Sequence, residues 1–519
     1  MRQNIITVLL CVSVLGFNAH KIMGAPASDH GSQPPDFGAP PPDFDGAPPD
    51  FGTPPPDGGF MRTPPGGRNR TVEYSGAREI KETVSEENGV YSSDEAPQVA
   101  VLVSGGESKF TKPTVTKSGA PNGRSDDYDF YGVNAAVLVY DRGKLDIVGG
   151  SITTDSAYSS GLFVYGSGEA TIQDAVIKTN EHNSGGIMVT GGGTLTARNL
   201  NVVTEGGSSA PIRSDRGGGK LVVEGGTFQA NGPGSPTIYS TADITVTDAN
   251  LFATKSEGAI IEGKNSIALK NVKLVDDNSA LHGKSTTRKN IFIYQSFSGD
   301  AEVGKSNFVA ENCEITTKKG DSIYVTNTSC DITLRGNTFV NEDPEGYFFR
   351  ARRESWGRKG SNGGKANLLL EKQRVEGNIF VDNISELTLT LTKETNYVGA
   401  INAANTGKRV DLKLDKSSTL ELTADSYVTS LDNEDSTGKN IILNGYRLHV
   451  GETPVEDGIV DVASDDSEMR MGPPGGMRRE RPGEMRGGRP RPGEFNGNDD
   501  NGGRTTPRDR SGRGGEGRG

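Results

Sequence analysis

Short apolar runs that return at a fixed step between residues 137 and 204 decide the fold. The runs read VLV at 137–139, LFV at 162–164 and IMV at 187–189, so each begins 25 residues after the one before. A second aliphatic series keeps the same step: Ile152, Ile177 and Val202. A period of about 20 to 50 residues built from short strands is typical of solenoid proteins. We therefore predict a solenoid.

Each unit combines two β-rich runs with a glycine turn. Residues 144–148 read KLDIV, Gly149 and Gly150 follow, and a second run continues at 151–153. Alternation of apolar and polar residues with period two is typical of half-buried strands. A sustained helical stripe with caps does not occur in this part of the sequence, so the pattern predicts an all-β repeat.

Composition and charge narrow the function classes. Hydrophobic residues make up 32% of the 519 residues, whereas 71 are glycine and 27 are proline. A thin solenoid core and low-complexity ends both contribute to the low share of hydrophobic residues and the high share of glycine and proline. The net charge of −12 argues against a nucleic-acid partner for the whole chain.

The sequence divides into segments of different character. Arg2 precedes an apolar stretch at 5–17 that is too short to span a bilayer, which predicts a secretory signal and a secreted or cell-surface protein with no membrane span. The predicted segments are a signal peptide at 1–24, a disordered proline-rich linker at 25–70, a transition or N-terminal cap at 71–97, the β-solenoid at 98–450, and a disordered Arg/Gly/Pro-rich tail at 451–519.

The tail differs in charge from the rest of the chain. Residues 470–519 contain 12 Arg and 7 acidic residues, a local balance of +5 (12 − 7). Such a composition cannot bury a core. We expect the tail to contact an anionic surface, such as an acidic polysaccharide, lipid headgroups or the acidic body of this protein.

Three local expectations follow from the repeat. Aligning 308–311 with 332–335 sets Cys313 and Cys330 about seven positions apart, which predicts two free thiols instead of a disulfide. Residues 441–448 read as a hairpin with an Asn-Gly turn that closes the C-terminal end. A structural role at the corners of the coils is predicted for four residues: Asn199, Asn271, Asn312 and Asn337.

The chain resembles the right-handed parallel β-helix proteins of the pectate-lyase-like superfamily, and within them secreted, adhesin-like surface proteins that are often labelled carbohydrate-binding. The resemblance covers residues 98–450. It rests on the repeat and on four distal stretches: SWG at 355–357, GSNGG at 360–364, GAINA at 399–403 and DSYVTS at 425–430. It implies an all-β parallel β-helix and an extracellular location, but no established enzymatic reaction.

A candidate ligand site lies where the repeat is interrupted, at 348–365. It combines Trp356, the single tryptophan, with four arginines: Arg350, Arg352, Arg353 and Arg358. An aromatic ring flanked by guanidinium groups suits sugar stacking and pairing with carboxylate or sulfate. The alternative is a loop that packs Trp356 onto the solenoid as a lid.

Metal and catalytic sites have weaker support. Asp126, Asp127 and Asp129 are candidate oxygen ligands for Ca²⁺. The pair Asp276-Asp277 is expected to be solvated, and no catalytic residue is assigned. Sequons at Asn69, Asn327 and Asn383 matter only in a host that glycosylates secreted proteins.

These observations favour a secreted or cell-surface structural and adhesive protein that binds acidic glycans of an extracellular polysaccharide or cell-surface matrix. The alternative is a polysaccharide lyase or glycoside hydrolase acting on acidic polysaccharide. Lyase chemistry needs clustered carboxylates that hold Ca²⁺ and a base, and hydrolysis needs two suitably spaced carboxylates. Neither arrangement is evident in the sequence.

Overall fold

A computed structural model describes residues 72–451 except 120, 282–284 and 297. The predicted signal peptide, the proline-rich linker, Asn69 and the tail from residue 452 onward lie outside the described residues. The described chain is a parallel β-solenoid of about 15 turns. The predicted all-β fold class is therefore confirmed.

The strands follow one another in chain order, and most coils contain three of them. The first six coils contain β1 (Gly76–Ile80), β2 (Ser85–Glu87), β3 (Val90–Ser93), β4 (Val99–Val103), β5 (Glu107–Thr111), β6 (Thr114–Lys117), β7 (Val137–Val139), β8 (Lys144–Val148), β9 (Ser151–Thr154), β10 (Leu162–Tyr165), β11 (Glu169–Gln173), β12 (Val176–Thr179), β13 (Ile187–Thr190), β14 (Gly193–Thr204), β15 (Ile212–Ser214) and β16 (Gly219–Ala230).

The next six coils contain β17 (Ile238–Ser240), β18 (Asp243–Thr247), β19 (Asn250–Ala253), β20 (Ala259–Glu262), β21 (Ser266–Lys270), β22 (Lys273–Asp276), β23 (Lys289–Tyr294), β24 (Lys305–Glu311), β25 (Glu314–Thr317), β26 (Asp321–Thr326), β27 (Ser329–Arg335), β28 (Thr338–Asn341), β29 (Phe349–Ala351), β30 (Lys365–Glu371), β31 (Arg374–Glu376), β32 (Ile379–Val381), β33 (Glu386–Thr392) and β34 (Asn396–Val398). The last strands are β35 (Arg409–Leu414), β36 (Thr419–Glu421), β37 (Ser426–Val428), β38 (Ser430–Asn433), β39 (Ile441–Ile442) and β40 (Leu448–Val450).

The coils stack into three faces. Face A is the column of first strands, and twelve of them, from β1 to β32, form one parallel sheet. Face B is the column of second strands from β2 to β38, and face C is the column of third strands from β3 to β39. In β14 and β16 a single strand runs through both faces B and C.

The register confirms the 25-residue step. Leu162 pairs with Val137 on one side and with Ile187 on the other. On face C, Ile177 pairs in the same way with Ile152 and Val202. These aliphatic side chains point inward and join one continuous buried core, because alternate residues of a strand face opposite sides of the sheet.

Buried serines form a hydrogen-bonded ladder inside the solenoid. The N–H of Ser159 donates to Ser184 Oγ (3.0 Å), and the N–H of Ser184 donates to Ser209 Oγ (2.9 Å). The next step runs from the N–H of Ser209 to Ser235 Oγ (2.8 Å). The backbone N–H groups of these three serines therefore have partners in the neighbouring coil, as buried polar groups require.

Three of the four asparagines predicted to lie at corners have the left-handed backbone conformation that a corner needs. Asn199, Asn271 and Asn312 have positive φ angles of 49°, 53° and 54° at the corner between faces B and C. At the fourth position Gly336 takes the left-handed conformation (φ 60°), and the structural role predicted for Asn337 comes from its side chain. Asn337 is buried, and its Oδ1 accepts from the N–H of Cys313 (2.9 Å).

The two ends differ from the expectations. The first coil begins at Gly76, inside the segment assigned to the N-terminal cap, and it pairs in parallel with the second coil. Arg78 and Glu86 stand in register with the core residues Val101 and Phe110, and they form an ion pair that closes this end.

The hairpin predicted at 441–448 is wrong. β39 pairs in parallel with β36, and β40 pairs in parallel with β37. The Asn-Gly turn is present, with positive φ at Asn444 and Gly445, but it forms a coil corner. The predicted pairing of Phe308 with Ile332 is confirmed, and Cys313 and Cys330 are buried free thiols, as expected.

Candidate functional site

The outer side of face A is covered by loops. Leu138, Phe163 and Met188 point away from the core, yet each is buried. The loop that carries the helix α1 (Asp126–Tyr131) lies over them: a Cβ on Gly132 would come within 2.7 Å of the Phe163 ring. Thr190 Oγ1 donates to the carbonyl of Phe130 (2.8 Å), which fixes the loop to β13.

Farther along face A, the outer residues become charged. Arg213 lies in register between Met188 and Tyr239, and its guanidinium group is 3.0 Å from Asp215 Oδ2. Asp129 of α1 is buried beside this pair, where burial raises the pKa of its carboxyl group to about 6. Burial also raises the pKa of Asp215, although the charge of Arg213 opposes the shift.

Arg216 joins two loops over this region. Its guanidinium group is 2.7 Å from Asp300 Oδ1 and 3.4 Å from Asp126 Oδ2. The same group lies 3.7 Å from the centre of the Phe130 ring, which adds a cation–π contact. One side chain therefore connects α1 to the loop that contains Asp300.

Glu262 is a further carboxylate on this face, and it is almost fully buried. Four hydroxyl groups donate to it: those of Tyr239, Tyr294 (3.1 Å), Ser296 and Ser298 (3.3 Å). Burial raises its pKa in spite of these hydrogen bonds. We call Asp129, Asp215 and Glu262, together with Arg213, the face A polar cluster.

The predicted ligand site lies next to this cluster, in the loop at 352–364. The Trp356 ring is half-buried and meets the Tyr294 ring edge-on, with ring centres 5.1 Å apart. Arg350 is 2.6 Å from Asp321 and stacks on the Tyr347 ring at 4.3 Å. In this arrangement Trp356 packs as a lid over a cluster of four aromatic residues and one isoleucine: Tyr239, Phe292, Tyr294, Tyr324 and Ile260.

Other contacts hold the same loop closed. Arg353 NH1 lies 2.5 Å from Asn383 Oδ1 and 3.7 Å from Asp382 Oδ2. Glu354 is buried, and its carboxylate is 3.4 Å from the ammonium group of Lys289. Arg350 and Arg353 are paired with carboxylates, whereas Arg352 is half-buried and Arg358 is exposed. Their role in sugar binding stays a prediction.

The aspartates predicted to bind Ca²⁺ have other contacts. Asp126 pairs with Arg216, and Asp129 Oδ2 lies 3.7 Å from Arg124 Nε. Asp127 accepts the Gly132 N–H at the end of α1 through its carbonyl. Across the part of the chain that the structure describes, no group of three or more His, Cys, Asp or Glu side chains is placed to hold a metal ion.

The remaining predicted positions are placed as follows. Asn383 is exposed, whereas Asn327 is half-buried and its Nδ2 donates to the carbonyl of Gln295 (2.6 Å). The expectation that the pair Asp276-Asp277 is solvated is wrong for Asp276, which points into the solenoid and is fully buried. No helix in the described ranges is long and apolar enough to cross a membrane.

Sequence reasoning missed the face A polar cluster. A signal was present, because continuing the 25-residue step from Phe163 and Met188 leads to Arg213, a charged residue that follows two apolar ones in the same column. Asp129 gave no such signal, since the loop that carries α1 brings it there, whereas Glu262 is the last residue of β20. No family model, curated protein or solved structure matches this chain.

Proposed function

We propose that this protein is a secreted or cell-surface structural and adhesive β-helix of the pectate-lyase-like type, which binds acidic polysaccharide of an extracellular matrix. The observation that carries the proposal is the closure of face A. Its outer charges pair with one another beneath loops, so a partner meets the exposed residues of these loops or of faces B and C.

Face B suits a structural role because its exposed charges pair from coil to coil. Lys144 lies between Glu107 (3.2 Å) and Glu169 (3.7 Å) of the two neighbouring coils. Glu386 is likewise paired with Lys408 (2.7 Å) of the next coil. Single exposed pairs contribute little, about 0–1 kcal/mol each. Repeated along the stack, they favour the correct register between coils.

A binding assay with a product assay tests this proposal. The full-length protein is incubated with pectin, alginate and mucin glycans, and both retention and new reducing ends are measured. Retention on acidic glycans without new reducing ends supports the proposal. No retention on any of these glycans contradicts it.

The contribution of the predicted arginines needs a matched control. R352S/R358S removes two positive charges from the loop at 352–364, and K178S/K220S removes two exposed positive charges elsewhere. If the loop contacts the glycan, only the first double variant loses retention. Equal losses would point to non-specific attraction between the polymer and any positive charge.

A polysaccharide lyase or glycoside hydrolase is the second candidate. It is favoured by the three carboxylates and one arginine of the face A polar cluster, because acid–base cleavage of a glycosidic bond uses paired carboxylates with separated pKa values. New reducing ends that disappear in Glu262→Gln, but not in the exposed control Asp243→Asn, would establish this candidate in place of the first.

A further inference from the structure

The corner between faces A and B carries tyrosines in two consecutive coils. Val139 and Val164 are register partners on face A. Tyr140 and Tyr165 directly follow them, so the two tyrosines occupy equivalent positions one coil apart. Both rings pack against the outer apolar cluster of face A, and both are half-buried. The same corner therefore presents a tyrosine ring in each of two neighbouring coils.

A second tyrosine holds each of these rings in place. The ring of Tyr74, which precedes β1, lies 4.3 Å from the Tyr140 ring, measured between ring centres. Tyr131 of α1 contacts the Tyr165 ring in an edge-to-face arrangement, with ring centres 5.3 Å apart. A surface that is already ordered loses less conformational entropy when a ligand binds to it.

Glycines keep the surface next to these rings free of side chains. A Cβ on Gly191, in the coil after Tyr165, would lie 2.6, 3.0 and 3.4 Å from three atoms of the Tyr165 ring, so this ring lies against glycine. A Cβ on Gly166 would meet no atom within 4 Å, and one on Gly192 would meet only the Gly166 carbonyl oxygen, at 3.8 Å. We call Tyr140, Tyr165, Gly166 and Gly192 the corner strip.

The spacing of the corner strip suits a linear polymer of sugars. Neighbouring strands of a sheet lie about 4.8 Å apart, so equivalent residues recur at about this distance along the solenoid axis. One sugar residue adds a similar length to an extended polysaccharide chain. A chain that lies along the axis can therefore place consecutive sugar rings over Tyr140 and Tyr165.

The chemistry of the corner strip also fits a sugar. A tyrosine combines an apolar ring with a hydroxyl group, and a pyranose combines an apolar C–H face with a rim of hydroxyl groups. Arg142 is exposed at the same corner and can pair with a carboxylate of an acidic polymer. Because Asp141 is exposed there as well, the local charge is balanced, and the rings have to carry most of the binding.

We propose that the corner strip binds a linear polysaccharide that lies along the solenoid axis, with the rings of Tyr140 and Tyr165 stacked on consecutive sugars. This inference rests on the proposed polysaccharide binding, and it names a contact surface that is separate from the loop at 352–364.

The test measures affinity and the place of contact on the full-length protein. Affinity electrophoresis in gels that contain pectin or alginate gives the apparent Kd. The main variant is Y140S/Y165S, and Y140F/Y165F keeps both rings but removes their hydroxyl groups. Y427S/Y446S is the matched control, because it removes one half-buried and one exposed tyrosine near the other end of the solenoid.

Hydrogen exchange of the wild-type protein, with and without oligosaccharides of the same polymer, locates the contact and serves if Y140S/Y165S does not fold. We expect slower exchange in peptides from 138–145, 163–170 and 188–195. We also expect Y140S/Y165S to bind the polymer roughly tenfold more weakly, because it loses two ring contacts. Y140F/Y165F should lose much less, and Y427S/Y446S should bind as the wild type does.

Two results would overturn this proposal and leave polysaccharide binding in place. One is equal affinity of the wild type, Y140S/Y165S and Y427S/Y446S. The other is slower exchange in the loop at 352–364 alone when the oligosaccharide is bound. A wild-type protein that binds neither polymer would overturn the proposed function and this inference together.

Discussion

The substitution Phe308→Ala tests how the coils depend on one another. Phe308 lies in β24, points into the core and is fully buried between Ile267 and Ile332 of the adjacent coils. Truncation of a buried phenylalanine costs about 3–5 kcal/mol. Each coil of a solenoid contacts only its neighbours, so this loss should fall mainly on the coils of β21, β24 and β27.

Hydrogen exchange measured by mass spectrometry shows which strands lose stability in this variant. A cost of about 3–5 kcal/mol corresponds to roughly a 10²- to several-thousand-fold increase in the opening of the affected amides, at about 1.4 kcal/mol per factor of ten. Faster exchange is expected in peptides from 266–276, 305–317 and 329–341. Val309→Ala is the control, since Val309 is the next residue and points outward with partial exposure.

Two outcomes would refute this reasoning. If Phe308→Ala speeds exchange equally in β10 and β36, far along the stack in both directions, the solenoid opens as one cooperative unit. If exchange does not change, or changes no more than in Val309→Ala, Phe308 does not contribute to the core as its burial implies.

Three further outcomes are expected. Cys313 and Cys330 should resist iodoacetamide in the native protein and react in guanidinium chloride, because both are buried and burial raises both thiol pKa values; labelling of either thiol in the native protein would contradict their placement. Burial lowers the pKa of Lys117 to about 8 in the folded protein, whereas a lysine in the unfolded chain has a pKa of about 10.4. Between these two pH values the unfolded chain binds more protons than the folded protein, so the free energy of unfolding should rise with pH. Chemical denaturation at a series of pH values should show this rise in the wild type but not in Lys117→Met. Parallel curves of unfolding free energy against pH for the two proteins would contradict it. Arg216→Met should speed hydrogen exchange in α1 and in the loop that contains Asp300, whereas Arg198→Met, which removes an exposed ion pair on face B, should leave both unchanged.

The inside of the solenoid was predictable because it depends on local alternation and a constant step. Val139, Val164 and Val189 fall in register as the sequence indicates, since every coil must present an apolar residue at the same inner position. The step changes later, from 25 to 32 residues between Ile260 and Phe292. The extra residues enter at corners and leave the inward pattern of the strands intact.

The outer side of face A was not predictable in the same way. Phe292 and Tyr324 read as outward positions, and only loops from distant parts of the chain make them buried. Turn chemistry was ambiguous as well. Positive φ at Asn444 and Gly445 suits a hairpin and a coil corner equally, and the choice between them depends on which strands lie alongside.

The inner serine ladder has a consequence for the length of this protein. Because Ser159, Ser184 and Ser209 make the same hydrogen bond from coil to coil, the segment 162–186 could be removed and Ser159 would still meet Ser209. Leu162 and Ile187 occupy the same register, so the new junction would preserve every strand pairing. The length of the solenoid can therefore change by a whole coil without any change in how the remaining coils pair.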